Sequence, residues 1–343
     1  MSRHLSILRI VSLLAIVSPI SAAKYGYIES KDCVDPSGYE QCYESGDAAR
    51  NDCINKNCKN KNRDCISACD CAFNFGVIDC ALTSCWNKVY SCEYQNTVLE
   101  LGGNCQDEKF EDIPFFPAPD NAPDACSCNL GKVATSLNRA VEELDTCIER
   151  NQDTWDSLSL DEQEVFIKAC KCCTSSGILS SFWGICPDTK PSLLGADEYW
   201  NILISQDEDY PQCGDYNDVY SCAKDLKFTP PGEDKSVKFY GPGELPKNGT
   251  KTLSNMEGTI TSPLSGATFT WTDGPIVHPI TAASADTKPT GSSDKKDSKD
   301  DDKSDDANET GKNETGNEDE EDAASIISPP VWALVFLVLA LLP

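Results

Sequence analysis

Hydrophobic residues recur at steps of three and four along much of the chain, which is the period of an amphipathic helix. The clearest run covers residues 130–148. A second helix is predicted over 159–173, since its first four residues, Ser-Leu-Asp-Glu, have the form of a capping box. Helical spacing also extends over 78–101, and an aromatic pair within 199–203 indicates a further short helix. These runs predict a fold that is mainly α.

Two other local patterns predict structure. Asp47 is a candidate N-cap for a helix that runs to about Cys58. Within 258–272, threonine alternates with other residues in two short stretches, Gly-Thr-Ile-Thr and Thr-Phe-Thr-Trp-Thr. This alternation predicts two short strands, which we expect to form a hairpin against the helical part.

Changes in composition divide the chain into segments. Two cysteine-rich helical modules are predicted at 24–105 and 125–228, separated by a proline-rich connector at 106–124. A segment rich in proline, glycine and threonine follows at 229–280 and contains the predicted hairpin. A low-complexity stalk is predicted at 281–322.

The stalk is predicted to be disordered because of its charge. Its residues 292–322 contain 14 acidic and 5 basic side chains and no aromatic ring. A segment of this composition cannot bury a core, and its own repulsion extends it.

The two modules share a weak internal echo. Cys-Ile-Asn-Lys-Asn at 53–57 resembles Cys-Ile-Glu-Arg-Asn at 147–151, and an Ala-Cys-x-Cys motif follows each, at 68–71 and 169–172. A further Ala-Cys-x-Cys lies at 125–128. The echo predicts two related modules, with coincidence as the alternative.

Both ends of the chain carry processing signals. Residues 1–23 have a basic start, an apolar core and small residues before the expected cleavage, which predicts a secretory signal peptide. The apolar run 331–343 would reach only ~20 Å as a helix, against a hydrocarbon core of ~30 Å. Small and acidic residues precede it and no basic residue follows it. This order predicts glycosylphosphatidylinositol (GPI) attachment at Asp322 (or Ala323) and a removed propeptide at 323–343, with a marginal membrane helix as the alternative.

The cysteines are predicted to be bridged, because both signals send the chain through an oxidising compartment. There are 20 of them, so ten bridges can form, but the sequence does not determine their pairing. Adjacent Cys172 and Cys173 are expected to have different partners, since a bond between neighbours is strained. The predicted bridge residues are Cys33, Cys42, Cys53, Cys58, Cys65, Cys69, Cys71, Cys80, Cys85, Cys92, Cys105, Cys126, Cys128, Cys147, Cys170, Cys172, Cys173, Cys186, Cys213 and Cys222.

Composition also argues against several kinds of chemistry. Of the 2 histidines, His4 lies in the predicted signal peptide and His278 lies far from the cysteines in sequence. Catalysis or metal binding through histidine is therefore not expected in the cysteine-rich region, and bridged cysteines are not ligands. We predict no catalytic residue and no metal site. A net charge of −27 argues against nucleic acid as a partner.

One basic cluster stands against the acidic background. Lys56, Lys59 and Arg63 would share a face if the helix around them were continuous. The cluster is either a patch for an anionic partner, such as an acidic glycan or another chain's stalk, or a solvated face, which is commoner. Three sequons predict N-glycosylation at Asn248, Asn308 and Asn313.

The layout of a bridged head, a glycosylated stalk and a lipid foot resembles the cysteine-rich, GPI-anchored surface proteins of fungal cells. The run Cys69-x-Cys71-x8-Cys80-x4-Cys85 is similar to the middle of the pattern of the CFEM domain, a helical module of such proteins. Some members of that family bind haem through an aspartate just before the Cys-x-Cys pair. Here the interval 66–68 contains no aspartate, so the resemblance implies haem as a cofactor only through neighbouring Asp64 or Asp70.

The main functional hypothesis is a non-enzymatic protein on the extracellular face of the plasma membrane or in the cell wall. Its lipid anchor would hold it to the membrane, and its head would act in wall organisation, adhesion or interaction with wall polymers or other surface proteins. The alternative is a head that encloses a small ligand such as haem or a lipid. A second alternative is a histidine-free carboxylate hydrolase, although 42 acidic residues in 24–291 let no pair be singled out.

Overall fold

The structure is a computed structural model and describes residues 27–105, 110–206, 210–260, 265–273 and 275–285. The predicted signal peptide, the rest of the stalk, the GPI signal and the sequons at Asn308 and Asn313 lie outside these residues.

The described part of the chain is mainly helical, as the hydrophobic periodicity predicts. Its α-helices are α1 (Pro36–Asn57), α2 (Arg63–Ser84), α3 (Cys92–Asn104), α4 (Leu130–Asp145), α5 (Cys147–Arg150), α6 (Gln152–Ser157), α7 (Leu160–Ile185), α8 (Ala196–Gln206) and α9 (Cys213–Val219). Two strands follow, β1 (Thr268–Asp273) and β2 (Ile276–Thr281). The capping box predicted at Ser159 is present at the start of α7.

The first helix begins earlier than predicted. The Asp35 side chain accepts a hydrogen bond from the backbone N–H of Gly38 at 3.0 Å, and Pro36 occupies the first helical position. Asp47 therefore lies inside α1 instead of capping it.

The predicted helical run over 78–101 is interrupted. α2 ends at Ser84 and α3 begins at Cys92. The residues between them form a 3₁₀ turn at Trp86–Lys88, and Trp86 and Val89 are buried there. Their burial continues the apolar spacing through the break, and this is why periodicity alone did not show it.

Helices α1 and α2 form an antiparallel hairpin tied along its length by disulfides. The bridges are Cys42–Cys80, Cys53–Cys69 and Cys58–Cys65. Cysteines that come later from α1 onward pair with cysteines that come earlier in α2, as an antiparallel arrangement requires. Helices α4 and α7 pack as a second pair, and bridges Cys128–Cys186 and Cys147–Cys170 lie at its two ends, where Cys128 precedes α4 and Cys147 belongs to α5.

Three bridges occupy corresponding places in the two modules. In each pair of helices, a cysteine before the first helix pairs with the residue directly after the second helix. The Cys-x-Cys motif sends its first cysteine back to the preceding helical segment and its second forward beyond the next helix. The corresponding pairs are Cys33–Cys85 with Cys128–Cys186, Cys53–Cys69 with Cys147–Cys170, and Cys71–Cys105 with Cys172–Cys213. The matching bridges are the structural counterpart of the repeated sequence motifs. That the two modules are related stays a prediction.

One hydrophobic core runs through both modules and the described part of the connector. Phe110, Ile113 and Phe116 of the connector are buried in it beside residues of α2, α3, α4 and α7. Cys92–Cys126 is the bridge that links the modules covalently. A smaller cluster around Phe166 packs α7 against the chain near Phe228.

Gly131 shows how tightly α4 packs on the connector. A Cβ at this position would lie 2.8 Å from Pro117 Cα, and the Gly131 N–H donates to buried Gln95 Oε1 at 3.0 Å. We expect Gly131→Ala to lower the free energy of unfolding by about 1–3 kcal/mol, because backbone must move. The control is Gly76→Ala in α2, where a Cβ meets nothing within 4 Å. The free energy of unfolding of Gly76→Ala is expected to rise by about 0.5–1 kcal/mol. Denaturant unfolding of both variants therefore measures a loss of stability for Gly131→Ala and a gain for Gly76→Ala.

The β-hairpin differs from the predicted one in its first strand. β1 pairs with β2, with Trp271 opposite His278, whereas residues 258–260 form no strand. Pro279 hides β2 from sequence inspection because proline weakens a strand signal.

The head extends beyond the predicted start of the stalk at 281. Ala282 is buried, and the Ala283 N–H donates to the Thr83 carbonyl at 2.7 Å. Residues 281–285 therefore pack on the helical part.

Helix α2 lies at the centre of this arrangement. It is the described helix that is long and apolar enough to cross a membrane. Instead it packs against α1, α3 and β2. It also carries four bridged cysteines, so it is a core helix of the head.

Candidate functional site

The turn between α1 and α2 gathers two bridges, and we call residues 50–70 the tip. Cys58 Sγ lies 3.8 Å from Cys69 Sγ, although the two belong to different bridges. The sulfurs of Cys58, Cys65 and Cys69 all lie within 4.8 Å of one another. This spacing suits a metal ion, but every one of these sulfurs is in a disulfide and none is a thiolate that could bind it.

The predicted patch of Lys56, Lys59 and Arg63 is not one helical face. α1 ends at Asn57, and Asn60 has a left-handed φ of 59° in the turn. The patch residues therefore come from α1, the turn and α2 in succession. The condition of a continuous helix is therefore not met, and the role of these residues as a patch for an anionic partner stays a prediction.

Carboxylates neutralise part of the tip. Arg50 Nε lies 2.5 Å from Asp70 Oδ1, and Lys56 Nζ lies 2.7 Å from Asp52 Oδ2. Asp70 is thus engaged by an arginine, and Asp64 is exposed in the first turn of α2. The implied haem ligation through either aspartate stays a prediction.

A second cluster joins α2 to the β-hairpin. Asp79 Oδ1 accepts a hydrogen bond from Trp271 Nε1 at 2.9 Å, and Asp79 Oδ2 lies 2.7 Å from His278 Nδ1. The Trp271 and His278 rings stack with centroids 4.4 Å apart, and Phe75 packs against both. One carboxylate therefore fastens both strands to the helix.

The position of His278 corrects the expectation that histidine lies away from the cysteine-rich region. It is remote in sequence, but in the fold it lies beside Asp79, the neighbour of bridged Cys80. Its other nitrogen, Nε2, is buried and has no hydrogen-bond partner among the described residues. An aspartate–histidine pair without a hydroxyl or thiol on Nε2 lacks the nucleophile of a triad, so the geometry indicates a clamp.

A cleft of about 380 Å³ lies between the connector, the start of α4 and residues 231–237. Lys132 Nζ donates to both carboxylate oxygens of Asp120 there, at 2.6 and 2.7 Å. The backbone N–H of Ser236 donates to Asp234 and holds the pKa of that carboxyl below its usual value. The described residues that line the cleft include no aromatic ring. The cleft therefore offers hydrogen-bonding and charged groups to a small polar molecule.

The sequon at Asn248 lies on an exposed part of the described chain. Asn248 is exposed, and its Oδ1 accepts a hydrogen bond from Trp183 Nε1 at 3.0 Å. A glycan is joined to the other amide atom, Nδ2, so the bond to Trp183 and the modification are compatible.

We expect three substitutions to separate the glycan from this hydrogen bond. Asn248→Asp and Thr250→Ala should both lose the glycan, because each destroys the sequon, and both keep an oxygen acceptor for Trp183. Asn248→Ala should lose the glycan and also lower the free energy of unfolding, relative to Thr250→Ala, by about 1–2 kcal/mol. Intact mass reports the glycan and denaturant unfolding reports stability. Equal stability of Asn248→Ala and Thr250→Ala would contradict a role for the hydrogen bond.

Protein-family models, curated proteins and solved structures were compared with this chain, and none matches it. The resemblance to fungal surface proteins and to the CFEM pattern stays a prediction.

Proposed function

We propose that this chain is a non-enzymatic surface protein whose bridged helical head is displayed outside the cell on an acidic stalk held by a GPI anchor. The observation that supports it most is that all twenty cysteines of the head are bridged. Disulfides in this number are typical of an extracellular protein, because they form and persist in oxidising compartments.

The character of the head favours interaction over catalysis. Its half-buried His278 fastens the β-hairpin to α2, its clustered sulfurs are oxidised, and the cationic groups of the tip are partly paired with carboxylates. A head cross-linked at both pairs of helices keeps its shape outside the cell, and the stalk extends it away from the membrane. Wall polymers or other surface proteins are the proposed partners.

The anchor is tested on eukaryotic cells that express the full chain with a tag after the signal peptide. Phosphatidylinositol-specific phospholipase C is expected to release the tagged head into the medium. The control carries Asp322→Trp and Ala323→Trp, since attachment requires small residues, and is expected to be absent from the lipase-released fraction. A wild-type protein that only detergent extracts would overturn the anchor and favour a membrane span.

The interaction is tested with the secreted chain 24–322. We expect this chain to bind saturably to cells or to isolated wall polymers. A large excess of the free stalk peptide 286–322 should not reduce this binding. Binding that the stalk peptide abolishes would place the interaction in the stalk and contradict a role for the head.

A small-ligand protein is the second candidate, and the cleft favours it. A copurifying ligand would appear as a discrete excess in native mass that denaturation removes. Lys132→Ala, which removes the ammonium of the cleft, is expected to abolish that excess, whereas exposed Lys224→Ala should leave it unchanged. Equal native and denatured masses would contradict the small-ligand proposal and leave the surface-interaction proposal as the one supported.

A further inference from the structure

The two bridges of the tip touch each other, and this contact gives them a chemistry that separate bridges lack. Disulfides exchange when a thiolate attacks a bridged sulfur, and the sulfur that leaves is itself a new thiolate. A thiolate freed at Cys58 would lie 3.8 Å from Cys69 Sγ, which belongs to the neighbouring bridge. A second exchange therefore requires these two sulfurs to close from 3.8 Å to the ~2 Å of a disulfide bond.

Access to the tip differs from access to most of the head. In six of the eight other bridges both cysteines are buried, for example Cys172–Cys213 with no exposed surface on either residue. In the tip, Cys53 and Cys65 are partly exposed, whereas Cys58 and Cys69 are buried. An external thiol thus reaches Cys65, and the thiol released at the end of the sequence emerges at Cys53.

Charge favours one class of thiol. The tip, residues 50–70, contains five basic and three acidic side chains, within a chain of net charge −27. Lys59, in the turn that the Cys58–Cys65 bridge closes, is exposed. An anionic thiol is attracted to this end of the head and repelled by most of the rest of the surface.

We propose that the tip is a thiol–disulfide exchange site that takes up a small anionic thiol at Cys65 and passes the free thiol to Cys53. The incoming thiolate bonds to Cys65 Sγ, and the Cys58–Cys65 bond breaks with its electron pair on Cys58. The Cys58 thiolate then bonds to Cys69 Sγ, and the Cys53–Cys69 bond breaks with its electron pair on Cys53, which takes a proton from water. Two S–S bonds form and two break, so no oxidant or reductant is consumed.

The outcome for the protein is a surface thiol and a covalent adduct, with one internal bridge left at the tip in place of two. The new Cys58–Cys69 bridge still joins α1 to α2. The head remains closed while its tip gains a reactive group that can form a mixed disulfide with a second protein.

The test uses the secreted chain 24–322 and reduced glutathione as the anionic thiol. After acid quenching and alkylation, peptide mapping is expected to find glutathione on Cys65, the alkyl group on Cys53, and a Cys58–Cys69 cross-link. Alkylation of Cys58 with glutathione on Cys65 would show that the second exchange does not occur. Modification mainly at another bridge, or none in the native chain, would overturn the site.

Two variants test the sequence of steps and the charge. In the Cys53→Ala, Cys69→Ala chain the second bridge is missing, so the alkyl group is expected on Cys58. Lys56→Glu with Lys59→Glu is expected to slow glutathione uptake roughly tenfold but to leave or raise the rate with cationic cysteamine. The matched control, Lys224→Glu on an exposed position near another bridge, should change neither rate at the tip. Equal slowing of both thiols would contradict the attraction of anions.

Discussion

Trp271→Ala is expected to release the β-hairpin from the head while the two pairs of helices stay folded. Trp271 is 5% exposed, packs on Phe75 and His278, and donates the hydrogen bond to Asp79 Oδ1. Truncating a buried tryptophan typically costs about 3–5 kcal/mol, and here it also leaves Asp79 Oδ1 without the donor from Trp271. We expect amide hydrogen exchange in β1 and β2 to accelerate by two or more orders of magnitude, and α1 and α2 to retain their protection.

Two further variants identify the cause of this release. Trp271→Phe keeps an aromatic ring but loses the N–H, so its effect on exchange should be smaller than that of alanine. Thr270→Ala, on the exposed face of the same strand, should leave exchange near the wild-type rate. Unchanged exchange in Trp271→Ala would mean that the clamp does not hold the hairpin.

Removal of the Cys33–Cys85 bridge is expected to destabilise the head more than removal of Cys58–Cys65. The first bridge closes a sequence separation of 52 residues and the second closes 7. The loss of chain entropy in the unfolded state gives about 4 kcal/mol for the long loop and about 2.5 kcal/mol for the short one. Both cysteines of each pair are replaced by alanine and not by serine. Cys85 has no exposed surface, so a serine there would bury a hydroxyl.

Denaturant unfolding of the two double-alanine variants under non-reducing conditions measures this difference. Intact mass first establishes that the other nine bridges have formed in each variant. Equal losses of stability would show that loop entropy does not set the contribution of these bridges.

The sequence predicts local structure well where signals for both the interior and the ends of a helix are present. α4 follows the apolar face of 130–148, and α7 starts at its capping box. The start of α1 was predictable too, because Asp35-Pro36 is a cap followed by proline at the first helical position. The start of α3 after the interruption had one signal in the sequence, the N-cap residue Ser91. Its Oγ accepts a hydrogen bond from the Tyr94 N–H at 3.2 Å.

The clusters could not be predicted from the sequence because they depend on long-range packing. Asp79 and His278 are 199 residues apart, and no local pattern links them. The contact of Cys58 with Cys69 depends on the turn at Asn60, which brings the end of α1 beside the start of α2. The presence of ten bridges could be inferred from redox compartment and even number, but their pairing required the fold.

The distribution of the bridges along the chain also determines how the head would respond to tension from its C-terminal side. Every bridge lies at or before Cys222, so residues 223–285 are held only by non-covalent contacts such as the clamp at Asp79. A force applied through the stalk would first detach the hairpin and then peel this segment, which at ~3.4 Å per residue extends to roughly 200 Å. The extension would then stop at Cys173–Cys222, leaving the covalently closed helices intact. Under shear, this segment would thus unfold before the bridged helices and limit the force that reaches them.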